Sequence, residues 1–355
     1  MTINTNPQST QTNISRTLVW VLLVAGLVAN LAGIVGGTWD GAFHARYDVD
    51  SFWSPPHLLI YAGIGSTLVI GLAILTLLVI EGRKWGRNVI RTNPLLLITI
   101  FANLGFLVTG PFDELWHTIF GREELTVWTV PHMILNFNLA LTAIGVISLA
   151  VWLRAAHPSG SLTPAQDGSP IRVQNLAIFV GLSMFIIHIW GILYELEVGD
   201  TLLSPVPGIG WLYPLMATVL VSLCFALASQ LLPMHWWLAI PLVVLTQLWW
   251  FVPGIVLRQL GYEQAEGFRV PITLAGLVWA LIAWTANKQP AWLRFAIFGV
   301  GFVAIVLVAR FFGLLLSTSN SDVFFSGIFL PALAVAGGNA GVSLGTWLQK
   351  QAGDL

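Results

Sequence analysis

The feature that most constrains this chain is a succession of long apolar runs, too many and too long for a water-soluble core. A run of roughly 20 apolar residues crosses the hydrocarbon layer of a bilayer as a helix, because only a helix satisfies every backbone polar group internally. The runs fall at 17–38, 56–80, 94–112, 131–153, 174–194, 210–232, 236–257, 270–287, 291–316 and 326–348. Charged residues make up only 9% of the 355, against about 25% in soluble domains, so the runs are not diluted by solvated faces. The pattern predicts an all-α integral membrane protein of about ten transmembrane helices, arranged as five helical hairpins in the cell membrane. Pro241 and Pro253 fall inside the seventh run and should kink that helix rather than end it. The tightest connection is at Pro233-Met234-His235.

Orientation follows from the basic residues. One set of connections carries Arg16, Arg83, Lys84, Arg87, Arg91, Arg154, Arg172, Lys288, Arg294 and Lys350; the other carries only Arg46, Arg122, Arg258 and Arg269. The positive-inside rule then places both termini in the cytoplasm. Residues 1–15, rich in Asn, Gln, Ser and Thr, read as a disordered tail. The first run lacks a cleavage pattern and is expected to stay as the first helix. A net charge of −1 gives no reason to expect a nucleic-acid partner. The single cysteine, Cys224, excludes an internal disulfide and any Cys-based metal cage. The 17 tryptophans include Trp39, Trp53, Trp116, Trp128 and Trp211 near run ends, where interfacial anchoring accounts for most of them.

Each even-numbered run begins near a proline: Pro56, Pro131, Pro214, Pro271 and Pro331. Proline suits the first helical turn, where its missing N–H is not needed. The first two hairpins match in more detail. Residues 39–61 (WDGAFHARYDVDSFWSPPHLLIY) and 112–136 (FDELWHTIFGREELTVWTVPHMILN) share an Asp-x3-His…Pro-His pattern. Asp40 and Asp113 are 73 positions apart, and His57 and His132 are 75 apart, a period that points to duplication of a hairpin. The chain therefore divides into a tail (1–15), a four-helix repeat region (16–153) and a six-helix region of unassigned role (154–355).

The repeated polar residues carry the chemistry. An Asp and a His four apart share one helical face. A second His in the first turn of the returning helix meets them at the hairpin's outer end. Asp40, His44 and His57 form one such set, and Asp113, His117 and His132 the other. Carboxylate and imidazole donors suit copper(II), zinc or iron(II), and three donors leave coordination positions open. Interfacial histidines beside helix caps are the plainer reading of any single such residue. Four of the seven histidines falling at equivalent places beside two aspartates favours metal. Because the two hairpins are consecutive, their donor sets are expected to lie in one pocket. Asn136, four after His132, is a possible outer support for that histidine. His188 and Glu195 share a face and read as a buried pair, with Arg310 neutralising an acid such as Glu195.

Residues 39–136 resemble one membrane-embedded, metal-binding component of the copper membrane monooxygenases, the particulate methane and ammonia monooxygenase family. That component has an Asp-x3-His-x12-His copper site, and Asp40-x3-His44-x12-His57 has the same spacing. The family's Phe-Thr-Pro-x-His ending is similar to Phe52-Trp53-Ser54-Pro55-Pro56-His57. Its second site, Asn-x3-His-x13-His, is similar to Asp113, His117 and His132, with His117-Thr118-Ile119-Phe120, Glu123-Glu124-Leu125 and Pro131-His132 around it. Here Asp113 stands where the family has Asn, and the last spacing is one longer. The resemblance implies copper at the first set, a second site at the other, a small apolar substrate and a partner with a cupredoxin domain. Three functions follow: a copper-dependent, monooxygenase-like oxidoreductase; a non-catalytic copper-handling membrane protein; or a zinc-dependent membrane hydrolase with Glu114, Glu123 or Glu124 as general base.

Overall fold

The computed structural model describes residues 16–47, 51–84, 94–120, 130–155, 173–202, 212–232, 236–262, 270–286, 288–311 and 330–353. Among these there are ten α-helices and no strand. They are α1 (Arg16–Arg46), α2 (Pro55–Lys84), α3 (Pro94–Phe120), α4 (Val130–Ala155) and α5 (Val173–Leu202), followed by α6 (Leu212–Leu231), α7 (Trp236–Gln259), α8 (Val270–Thr285), α9 (Ala291–Phe311) and α10 (Leu330–Gly353). Within the described residues, five are long and apolar enough to cross a membrane: Thr17–His44, Pro55–Leu77, Leu96–Phe120, Val130–Arg154 and Leu238–Gln259. Four others contribute shorter apolar stretches, at Gln174–Ile189, Thr218–Leu231, Thr273–Ile282 and Ala291–Phe302.

The prolines expected at the return helices lie where the first helical turn needs no N–H. Pro56, Pro131, Pro271 and Pro331 are the second residues of α2, α4, α8 and α10, and Pro214 is the third of α6. Pro241 and Pro253 lie within α7, which continues through both. Several helices outrun their apolar segments. α1 continues to Arg46 rather than stopping at 38, and α3 to Phe120 rather than 112. Hydropathy marks the apolar length, whereas backbone hydrogen bonding carries the helix past it. At about 1.5 Å per residue, the apolar part of α1 already covers a hydrocarbon layer of about 30 Å. The extra turns carry Asp40 and His44 past the apolar run.

The first four helices pack as a ring: α1 on α2, α2 on α3, α3 on α4, and α4 back on α1. Glycines set the close approaches and show that neighbours run antiparallel. Gly63 lies against Ala29 and Ala32 in α1, and Gly71 against Ile100 in α3. Gly105 and Gly145 face Asn138 and Thr99 across the α3–α4 contact, while Gly26 and Gly33 face Val146 and Leu139 across α1–α4. The polar side chains in these seams are bonded internally: Asn138 donates to the Thr109 hydroxyl (2.9 Å), and Asn30 to the Gly26 carbonyl (2.9 Å). α4 also packs on α5 and α10, so the hydrophobic core runs without a break from Leu22 and Ile147 to Phe225, Trp279 and Phe298. α6 and α10 lie side by side and parallel, with Gly337 against Val219, Gly341 against Leu223 and Gly345 against Gln230.

Candidate metal centres

Each hairpin brings its three predicted donors together. In both sets the ligand atoms lie within 4.8 Å of one another, and all six side chains are partly buried. Asp40 and His44 sit one turn apart near the end of α1, and His57 is the third residue of α2. His44 Nε2 and His57 Nε2 both face Asp40 Oδ1, at 3.3 and 3.1 Å. In the second set His117 Nε2 lies 3.6 Å from Asp113 Oδ1, and His132 Nε2 lies 3.7 Å from Asp113 Oδ2. The histidine rings within each set are 6.0 and 5.7 Å apart.

Two arrangements bear on these spacings. A charge-assisted N–H···O bond closes to about 2.7–2.9 Å. Two donors each about 2.1 Å from a shared ion are about 3.0 Å apart at a right angle and about 3.4 Å apart at the tetrahedral angle. The Asp40 separations of 3.1 and 3.3 Å suit either arrangement, whereas the Asp113 separations of 3.6 and 3.7 Å are too long for hydrogen bonds. Consistently, Asp40 Oδ1, Asp113 Oδ1 and both ring nitrogens of His117 are buried without a hydrogen-bond partner among the described residues. Leaving such atoms unmet costs about 1–3 kcal/mol each; a cation at the centre of each set meets the carboxylate oxygens and His117 Nε2, and leaves His117 Nδ1 unmet. The residues present therefore fit a three-donor metal site.

The connection between α1 and α2 shows how the first set is held. Ser51 to Ser54 form a tight turn, in which the Ser54 N–H donates to the Ser51 carbonyl (2.8 Å) and the Trp53 N–H to the Ser51 hydroxyl (3.2 Å). The same Ser51 carbonyl accepts from His57 Nδ1 (2.9 Å). A carbonyl can only accept, so Nδ1 carries the proton and, in the neutral ring, Nε2 presents its lone pair toward Asp40. Fixing the tautomer through the other ring nitrogen is the usual support for a metal-bound histidine. Tyr61, one turn beyond His57, lies 6.0 Å from the His57 ring and 4.9 Å from Phe52. Both Tyr61 and Phe52 pack against α3 at Gly110, where a side chain would touch them at 3.4–3.5 Å. Tyr61 and Phe52 thus fill the seam between the two hairpins, about one turn of α3 before Asp113.

The end of α1 is also tied to α7. Gly261, with φ +88°, terminates α7 in a turn closed by Tyr262 N–H to the Leu257 carbonyl and Gly261 N–H to the Arg258 carbonyl (both 3.0 Å). Arg46 donates to the Gly261 and Leu260 carbonyls (3.0 and 3.3 Å), a cation placed at the negative end of a helix. Its guanidinium lies 5.1 Å from the Tyr262 ring centre, and Trp39 Nε1 donates to the Tyr262 hydroxyl (3.1 Å).

The remaining polar expectations resolve unevenly. Asn136 donates to the backbone carbonyl of His132 (3.3 Å), so it braces that turn of α4. His188 is buried with Nε2 3.2 Å from Asn30 Oδ1 on α1. The Glu195 and Arg310 side chains, Glu123, Glu124, Leu125, Trp128 and Trp211 lie outside the described residues. Glu114 is described and belongs to neither donor set. The roles of Ser51, Arg46 and Tyr262 are beyond the reach of sequence reasoning. Ser51 acts through a backbone carbonyl, which carries no side-chain signal, and Arg46 and Tyr262 meet across more than 200 residues. Tyr61 is within its reach, since it lies four after His57 and shares its face. No family model, no curated protein and no solved structure matches this chain.

Proposed function

We propose that this chain is a copper-binding membrane protein that works as a monooxygenase-like oxidoreductase, related to the copper membrane monooxygenases. The observation that carries the reading is the pair of Asp-His-His sets, whose ligand atoms lie within 4.8 Å of one another and among which Asp40 Oδ1, Asp113 Oδ1 and His117 Nε2 have no hydrogen-bond partner among the described residues. Copper held there supplies one-electron redox chemistry. The chain's own residues bind and orient it: Asp40 supplies negative charge, Ser51 fixes the His57 tautomer, and Tyr61 and Phe52 exclude water on the inner side. Lipid-facing apolar side chains around α3 would admit a small apolar substrate from the bilayer, and a cupredoxin-domain partner would supply electrons. The test is elemental analysis of protein purified in lipid nanodiscs, with paramagnetic resonance to count coupled imidazoles. Copper bearing two imidazole nitrogens, together with reductant-dependent oxygen uptake in the presence of a small hydrocarbon, is the expected result. Copper without oxygen uptake would favour a copper-handling role, zinc would favour a hydrolase, and no bound metal would end the proposal.

The same reading places all ten helices across the cell membrane with both termini in the cytoplasm. Two contacts support the alternation. Arg154 at the end of α4 meets Asn175 at the start of α5 and the Leu231 carbonyl at the end of α6, grouping three expected cytoplasmic ends. Arg46 groups the expected outer ends of α1 and α7. Reporter fusions after Trp85 and after Gly199 are expected to report opposite sides; the same side for both would refute this topology.

A further inference from the structure

The two sets share their donors but not their surroundings. The first is braced at two points. The Ser51 carbonyl fixes His57. The end of α1, which carries Asp40 and His44, is fastened to α7 through Arg46 and through Trp39 and Tyr262. Ala42 and Leu257 are buried beneath that fastening.

The second set is built on a helix end of a different kind. Pro111 lies inside α3, two residues before Asp113. Proline removes an intrahelical hydrogen bond and crowds the preceding turn, which makes the helix bend at that point. Beyond it, Leu115, Ile119 and Phe120 are 53%, 63% and 61% exposed, so among the described residues that face of the last turns has no fastening comparable to the one on α1. Asp113 divides its two oxygens between the imidazoles at longer separations, and neither nitrogen of His117 has a hydrogen bond to hold its ring among the described residues.

Resting on the metal-site reading above, we infer that the first set holds a retained ion and the second an exchangeable one. Metal affinity depends on how far the donors are already oriented, and losing one outer support commonly weakens it about 10- to 100-fold. The braced set releases its ion slowly because its donors cannot move apart independently. The second set opens by bending of α3 at Pro111, which carries Asp113 and His117 together away from His132 on α4. It is the set at which an ion enters and leaves.

The test uses the full chain in lipid nanodiscs, loaded with Cu(II) and challenged with a chelator, with copper per chain followed over time. Wild-type protein is expected to fall from two ions to one, with release rates differing at least ~10-fold. His117→Ala should keep the slow ion, and His44→Ala should keep only the fast one. If His44→Ala fails to assemble, Asp40→Asn serves in its place. Ser51→Ala, which frees the Trp53 N–H from the turn, should speed the slow release and leave the fast one unchanged. Pro111→Ala should slow the fast release. Equal release from the two sets, or retention in His44→Ala with loss in His117→Ala, overturns the inference while leaving the metal reading in place. A wild-type protein that loads no ion overturns the metal reading itself.

Discussion

Replacing His44 and His117 together by alanine is expected to bring the metal content of the purified protein down to background. Each substitution removes one of three donors from its set. Losing an outer support already costs about 10- to 100-fold in affinity, and losing a donor costs more. Two donors that remain, one of them a carboxylate at a helix end, do not hold an ion against washing. Both histidines lie near helix ends, away from the main core. The helical content of the double variant should therefore match the parent by circular dichroism. Metal retained at the parental level in a folded double variant would remove the basis for both sites.

The second large effect is expected at the α6–α10 contact. A side chain on Gly337 would overlap the Val219 carbonyl, and one on Gly341 the Leu223 carbonyl; in both cases the obstacle is backbone. Small residues spaced by four let two helices in a membrane approach this closely, and packing rather than the hydrophobic effect then holds them. Overpacking one well-packed position costs about 1–3 kcal/mol. Gly337→Val with Gly341→Val forces the whole contact apart, so the double variant should lose several degrees or more of thermal midpoint in detergent. Gly65, with open space around it, is the control. A midpoint for the double variant equal to that of Gly65→Val would mean that α10 does not depend on this contact.

The parts of the structure that were legible from the sequence are those written in local chemistry. Each of the ten apolar runs overlaps a helix among the described residues, because a long apolar run favours a helix whose backbone polar groups are met internally. The Asp-x3-His spacing placed its donors correctly because one helical turn fixes it. His57 and His132 were legible because a proline before each starts the returning helix. What could not be read depended on meetings between distant segments. The Arg46–Gly261 contact requires knowing that α1 ends beside α7. His188 meets Asn30 on α1, 158 residues away in sequence. Gly110 looks like any small residue until Tyr61 and Phe52 are seen against it.

The ring of four helices has one more property. A shift of 75 residues carries Gly71 onto Val146, and a shift of 73 carries Ile100 onto Leu27, next to Gly26. Gly71 meets Ile100, and Gly26 meets Val146. The α2–α3 contact and the α4–α1 contact therefore fall at neighbouring positions of the repeat. Two identical hairpins meeting through both would form an isologous pair, in which a two-fold axis exchanges the donor sets. An ancestor with a single hairpin could build this ring from two identical chains, with two equal sites. Fusing the copies into one polypeptide removes the requirement that they be equal. From then on a mutation such as the proline at 111 changes one half alone, and a partner such as α7 can settle against one half alone.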